Sequence, residues 1–126
     1  MPQCAVRLYR ERDGRIPFHD WLLSLARPSK GQNLSAVAEI RTVLSALGRE
    51  GHTLRRPISA PLRDGIHELR VRDRRVHCRV LYFFDGPGLA VVALGCTKED
   101  EVDDAEIDRA AHYRNSYLGD RSTHLA

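Results

Sequence analysis

The chain has 126 residues, of which 42% are hydrophobic and 29% charged, and its net charge at pH 7 is +3. This length is typical of one domain with a core of useful size, so we expect residues 1–126 to form a single domain. No stretch approaches the ~18 consecutive apolar residues of a membrane span, and the N-terminal segment lacks the apolar run of a signal peptide. We therefore expect a cytoplasmic protein with no membrane partner.

The first half of the chain predicts a strand followed by two helices. Apolar and polar residues alternate over residues 4–10, which is typical of a strand. Pro17 suits the first turn of a helix, and apolar residues recur at helical spacing until Pro28 ends it. A second amphipathic stripe covers residues 34–47 and ends at one of the two glycines that follow. Two helices joined by a short loop form a hairpin, and its apolar stripe needs a sheet to pack on.

After an irregular connection at residues 49–64, the pattern predicts two strands joined by a charged turn, over residues 65–84. Side chains of a strand alternate between two faces. If the apolar faces of both strands coincide, Val71 lies opposite Cys78 or an even step away. This even-numbered offset, or parity, places five side chains together on the opposite face: Glu68, Arg70, Arg72, His77 and Arg79.

The last third of the chain predicts a buried strand and a helix. Residues 85–88 form a strong turn signal, and residues 89–95 are uninterruptedly apolar, as in a central strand. Asp103 and Glu106 have the spacing of a capping box for a helix that runs to about Leu118. We expect residues 119–126 to form a flexible tail. The order predicts an α+β domain with a mainly antiparallel sheet, a two-helix hairpin and a C-terminal helix.

Charges and cysteines restrict the kinds of site. Arginines outnumber acids in residues 49–79, whereas residues 99–108 hold seven acids and no base. The basic part favours contact with phosphate, and the acidic part opposes it. The three cysteines match no metal or redox spacing, so we expect reduced, mostly buried thiols.

The middle of the chain carries a motif that resembles a known superfamily. Residues 61–84 read PLRDGIHELRVRDRRVHCRVLYFF, and a turn, an apolar strand, a lysine and a helix follow. This arrangement resembles the RelE/HigB/ParE superfamily of type II toxins, and within it the phage-derived HigB-like branch. The resemblance implies a RelE-like fold and an mRNA interferase. Such an endoribonuclease cleaves mRNA in the ribosomal A site without metal or cofactor, which inhibits translation and arrests growth. It also implies a cognate antitoxin, often of the helix-turn-helix type.

Carried over residue by residue, the resemblance assigns roles to the basic face. Arg79, in the RVLYFF strand, corresponds to the arginine that contacts the scissile phosphate, with Arg70 beside it and Lys98 assisting. Cleavage by 2′-OH attack needs positive charge at the phosphorane and a group that moves protons. His77 is the candidate general acid or base, because histidine titrates near neutral pH. The remaining candidates for RNA contact are Arg55, Arg56, Arg63, Arg72, Arg74, Arg75 and Tyr113, the last by stacking on a base.

Two alternative functions stay open at this point. Relatives commonly carry further bases after the last strand, whereas here Lys98 precedes the acidic residues 99–101. One alternative is a ParE-like inhibitor of DNA gyrase, which uses the same fold without nuclease activity. The other is a family member that has lost catalysis and acts only as a binding partner.

Overall fold

The computed structural model describes residues 4–27, 33–74, 76–97 and 101–126. Within these ranges the chain folds as an α+β structure with a mainly antiparallel sheet, as predicted. Its elements in chain order are β1 (Ala5–Leu8), α1 (Pro17–Ala26), α2 (Leu34–Glu50), a 3-10 turn (Gly51–Thr53), β2 (Ser59–Pro61), β3 (His67–Asp73), β4 (Val76–Phe84), β5 (Leu89–Thr97) and α3 (Asp104–Gly119). In these ranges no helix is long and apolar enough to cross a membrane.

The five strands lie in the order β1-β5-β4-β3-β2. β1 runs parallel to β5, and the other neighbours are antiparallel. The helix hairpin therefore carries the chain from one edge of the sheet to the other. Residues 90–94 of β5 are buried, which confirms the prediction of a central strand covered on both faces.

The helices divide the core into two layers, one on each face of the sheet. α1 and α2 cover the face that carries Leu69, Val71 and Cys78. α3 covers the face that carries Leu81 and Phe83. Because strand side chains alternate between faces, the layer under α1 and α2 draws on every second residue of β3 and β4, whereas the layer under α3 draws on β4 and takes no side chain from β3.

A two-residue loop closes the central hairpin, since Asp73 pairs with Val76. Arg74 in this loop has a φ of 57°, the left-handed conformation that tight hairpin turns require. Val71 lies directly opposite Cys78, so the predicted parity is confirmed.

Two features of the fold differ from the sequence prediction. The connection over residues 49–64 is not wholly irregular, because Ser59–Pro61 forms edge strand β2 against β3. A strand of this length that ends in proline lacks the alternation by which strands are recognised. The expected flexible tail is also wrong for its last residues. His124 is buried, and Leu125 forms a bridge with Tyr9 beside β1.

All three cysteines are free thiols, as predicted. Cys78 and Cys96 are buried in the sheet, and Cys4 is half-buried. Burial raises the pKa of the Cys78 thiol, which keeps it protonated and unreactive at neutral pH.

Gly95 lets the helix layer approach the sheet closely. A Cβ added there would overlap the indole ring of Trp21, the single tryptophan of the chain. We expect Gly95→Ala to lower the free energy of unfolding by about 1–3 kcal/mol, the usual range for overpacking. It should also change the tryptophan emission of the folded protein. Urea denaturation followed by fluorescence measures both.

Gly48 in α2 is the matched control for Gly95. A Cβ at this position would meet its neighbours no closer than 3.7 Å, which is ordinary van der Waals contact. Gly48→Ala is expected to leave stability unchanged or raise it by up to about 1 kcal/mol, because alanine favours a helix. Equal stability of the two variants would contradict the packing of Trp21 on Gly95.

Tyr117 joins the end of α3 to the end of β4. Its hydroxyl donates to Asp85 at 2.7 Å, and burial together with this carboxylate raises the pKa of Tyr117 to about 12. An unfolded tyrosine has a pKa of ~10. The stabilisation that protonated Tyr117 contributes is therefore complete below pH ~10 and is lost as the pH rises toward 12. We expect the free energy of unfolding to fall across this window, and to fall less steeply in Tyr117→Phe. Identical slopes in urea titrations of the two proteins would contradict the assignment.

Candidate functional site

Two arginines face each other across the central hairpin. Arg70 of β3 and Arg79 of β4 are direct partners in the register, and Arg72 and His77 form the next pair toward the turn. All four side chains lie on the same face of the sheet as Leu81, which belongs to the core under α3. The predicted sharing of one face by Arg70, His77 and Arg79 is therefore present.

Glu68 lies between the two arginines and binds both. Arg70 donates from Nε and Nη2 to Oε2 of Glu68 at 3.2 and 3.1 Å. Arg79 donates from Nη1 to Oε1 at 3.2 Å. The side chain of Glu68 is only 6% exposed, that of Arg79 15% and that of Arg70 38%. These residues form the Arg–Glu–Arg cluster.

The carboxylate explains how the fold tolerates two arginines side by side. Like charges directly opposite each other in a sheet are destabilising, and a buried charge needs a partner. One carboxylate with two guanidiniums leaves the cluster with one net positive charge. Sequence analysis placed Glu68 on this face and assigned it no role. The signal that could have found it was the need for an acid between Arg70 and Arg79.

The Arg–Glu–Arg cluster forms part of the wall of a cleft of about 490 Å³ beside the start of α3, called here the α3-side cleft. Its charged lining residues are Arg56, Arg63, Glu68, Arg70, Arg79, Glu101 and Asp104. Among the described residues of this cleft, four guanidiniums therefore meet three carboxylates. An anion that enters this cleft encounters positive charge that is largely compensated.

Arg63, a predicted RNA contact, binds three carboxylates in this structure. Its guanidinium donates to Asp64 at 2.8 Å, to Asp104 at 3.2 Å and to Asp108 at 2.9 Å. These carboxylates raise the pKa of Arg63 and compensate its charge. The prediction that Arg63 binds RNA phosphate is not supported by this geometry. The same contacts partly neutralise the acidic residues 99–108, since Asp104 and Asp108 face a cation.

Other predicted phosphate contacts remain exposed. Within the described part of the chain, the guanidinium groups of Arg56, Arg72 and Arg74 form no hydrogen bond or ion pair. Arg55 is also exposed, and its Nη1 donates to the carbonyl oxygen of His52 at 2.6 Å. Exposed guanidiniums without carboxylate partners are suited to phosphate. The predictions for Lys98 and Arg75 lie outside the described residues.

Tyr113 is buried, which contradicts its predicted role in stacking on a base. The residue is 8% exposed, its ring stacks on Tyr9 with centroids 4.5 Å apart, and Arg109 donates from Nε to its hydroxyl at 3.1 Å. An unpaired base needs an open ring face. Tyr113 instead belongs to the core under α3. Sequence spacing could not tell this packing role from a recognition role.

His77 lies beside the Arg–Glu–Arg cluster and not inside it. It is half-buried, and it is two residues from Arg79 on the same strand, a separation of about 7 Å. A ribose–phosphate unit spans a distance of this order. Glu68 is closer to both arginines, so two groups able to exchange protons flank Arg79 on the same face.

The sequence that builds this fold and cluster can be compared with known proteins. Residues 24–115 match the family model described as phage-derived protein Gp49-like (DUF891). The chain belongs to the Gp49-like family. The match covers well over half of the chain and includes the whole Arg–Glu–Arg cluster. No curated protein matches the sequence.

The Gp49-like family is part of the RelE/HigB-type superfamily of toxin-like proteins. Membership of the Gp49-like family agrees with the resemblance at the level of that superfamily. Among the described residues of this Gp49-like chain, no group of three or more histidine, cysteine or acidic side chains is placed to hold a metal ion.

Proposed function

We propose that this Gp49-like protein is the toxin of a type II toxin–antitoxin system, of the HigB-like kind, and that it cleaves mRNA on the ribosome. The observation that carries the proposal is the buried carboxylate of Glu68 between Arg70 and Arg79 on the wall of an open cleft. A fixed base beside fixed cations is what 2′-OH attack on a phosphodiester needs.

In this mechanism Glu68 accepts the proton of the 2′-hydroxyl. The 2′-oxygen attacks phosphorus, and Arg79 and Arg70 stabilise the negative charge of the phosphorane. The bond to the 5′-oxygen then breaks, and His77 supplies the proton that the leaving oxygen takes up. The products are a 2′,3′-cyclic phosphate and a 5′-hydroxyl. No metal or cofactor takes part in these steps.

The charge of the surface favours a substrate presented by the ribosome. The Arg–Glu–Arg cluster keeps one net positive charge, which is a weak attraction for free RNA. Four other exposed arginines, Arg55, Arg56, Arg72 and Arg74, would supply further phosphate contacts. We propose that these arginines dock against ribosomal RNA, and that docking brings the mRNA into the α3-side cleft.

Purified protein incubated with a short mRNA, alone and bound to ribosomes with an empty A site, tests this function. Cleavage is expected only on the ribosome, at one position relative to the A-site codon, with 2′,3′-cyclic phosphate ends. Equal cleavage of free mRNA would contradict the ribosome dependence. Absence of cleavage in both samples would contradict the nuclease itself.

A function without catalysis is the second candidate, and the compensated charge of the α3-side cleft favours it. Glu68 already occupies both arginines, and Glu101 and Asp104 add negative charge to the same walls. A ParE-like toxin would inhibit gyrase without cutting RNA. A DNA supercoiling assay separates the two functions, since only the gyrase inhibitor blocks supercoiling by purified gyrase.

Either function requires a cognate antitoxin, which we propose to be a small protein with a helix-turn-helix domain. An acidic segment of it would cover the exposed arginines around the α3-side cleft and slow access of RNA. We also propose that residues 1–126 act as one toxin domain in the cytoplasm. Co-expression with the proposed antitoxin should abolish growth arrest and yield a complex that purifies as one species. Growth arrest that persists in the presence of the small protein would contradict its role.

A further inference from the structure

We propose that a second cleft, on the opposite face of the sheet edge, binds an unpaired nucleobase of the RNA next to the cleavage site. This inference rests on the proposed nuclease function and adds a specificity subsite to it. The cleft has a volume of about 400 Å³, in the range of small-ligand sites. It is called here the aromatic cleft and is built around His52, His67, Tyr82 and Phe84.

Edge strand β2 connects the two clefts. Ala60, Pro61 and Arg56 line both of them. Ala60 pairs with Glu68 of the Arg–Glu–Arg cluster, and Pro61 pairs with His67 of the aromatic cleft. Adjacent residues of a strand point to opposite faces. A chain that passes over this short edge strand therefore reaches Glu68 on one side and His67 on the other.

The rings of the aromatic cleft are held in place by one another. His52 stacks on Phe84 with ring centroids 3.7 Å apart. His67 stacks on Tyr82 at 5.3 Å and meets Phe84 edge-on at 5.3 Å. Burial, and secondarily the nearby His52, lowers the pKa of His67, so this ring is uncharged at neutral pH. Aromatic side chains with fixed orientations are the usual platform for an unpaired base.

The remaining lining residues fit the other parts of a nucleotide. Ser59 and Tyr82 share a buried hydrogen bond of 2.6 Å between their hydroxyl groups, which fixes the Tyr82 ring at the base of the cleft. Arg55 and Arg56 lie at the rim, and the lining residues that the structure describes include no aspartate or glutamate. This distinguishes the aromatic cleft from the α3-side cleft, where three carboxylates compensate the arginines. Aromatic rings with uncompensated guanidiniums suit a ligand that is both aromatic and anionic, which a nucleotide is and an apolar side chain of a protein is not.

The test uses AMP as the probe and the imidazole C–H signals of the protein in NMR spectra as the readout. The chain has six histidines, so those outside the aromatic cleft serve as internal references. AMP is expected to shift the signals of His52 and His67 in a saturable manner and to leave those of His19 and His112 in place. Ribose 5-phosphate at the same concentrations should produce at most a small part of these shifts.

Substitutions in each cleft show which of the two clefts binds AMP. Arg55 and His67 line the aromatic cleft alone, whereas Arg79 lines the α3-side cleft alone. Arg55→Ala and His67→Ala should each lower the affinity for AMP at least several-fold, and Arg79→Ala should leave this affinity unchanged. Unfolding curves of each variant confirm that it folds, and the exposed Arg55 provides the substitution least able to disturb the core.

Three results would overturn the inference. Equal shifts with ribose 5-phosphate would mean that only phosphate is recognised. Loss of AMP binding in Arg79→Ala would place the nucleotide in the other cleft, and unmoved signals of His52 and His67 would mean that the aromatic cleft does not bind a base. The outcome is separate from the proposed function, because a protein that cleaves no RNA can still bind AMP here, and a nuclease can fail to do so.

Discussion

Replacing Arg79 with alanine is expected to slow RNA cleavage by about 10²–10³-fold, the usual cost of losing one fixed donor that stabilises a transition-state charge. The side chain of Arg79 is 15% exposed, and its guanidinium is oriented by Glu68 at 3.2 Å. A cation fixed in this way needs no reorganisation when the phosphorane forms. Single-turnover cleavage of ribosome-bound mRNA measures the effect on the chemical step.

Three comparisons make the result interpretable. Arg79→Lys should retain part of the rate, because the charge remains while the paired donors of the guanidinium are lost. Arg41→Ala, at an exposed position on α2, should cleave as fast as the native chain. Unfolding curves are needed, because removing Arg79 leaves the buried Glu68 with one partner. Native cleavage rates in a folded Arg79→Ala protein would exclude Arg79 from catalysis.

Glu68→Gln is expected to separate RNA binding from chemistry. The substitution removes the proposed base, which lowers cleavage by about 10²–10⁴-fold. It also raises the net charge of the Arg–Glu–Arg cluster by one, so RNA should bind more tightly and with a steeper dependence on salt. Fluorescence anisotropy with a labelled short RNA measures binding, and the single-turnover assay measures the rate.

A purely structural role for Glu68 predicts a different pattern. In that case Glu68→Gln would lower stability, and rate and binding would fall together with the folded fraction. Glu50→Gln, at an exposed end of α2, controls for the loss of one negative charge elsewhere. Unchanged cleavage by folded Glu68→Gln would contradict its role as the general base.

The central hairpin could be predicted from the sequence because strand periodicity depends only on backbone geometry. Alternation in β3 and β4 determined which side chains share a face, and the structure has the same parity. The position of Arg70 directly opposite Arg79 was not predictable, since it depends on a two-residue loop without a typical turn sequence. Only the structure shows that Glu68 reaches both arginines.

Contacts between distant segments could not be predicted from the sequence. Arg63 appeared available for RNA, but Asp104 and Asp108 bind it from a helix about forty residues away in the chain. His124 and Leu125 pack beside β1, more than a hundred residues earlier. Composition and periodicity describe neighbours in sequence, so they carry no signal for such pairs. Tyr113 illustrates the same limit, because its spacing fits equally a buried ring and a stacking platform.

We propose that the basic face of this toxin-like fold cleaves mRNA during translation. Mapping of RNA 5′ ends across the transcriptome, minutes after induction of the native chain and of Arg79→Ala, tests it most directly. The native chain is expected to create new ends inside translated reading frames, in phase with codons, and Arg79→Ala is expected to create none. Growth arrest by the native chain with intact mRNA would contradict the claim.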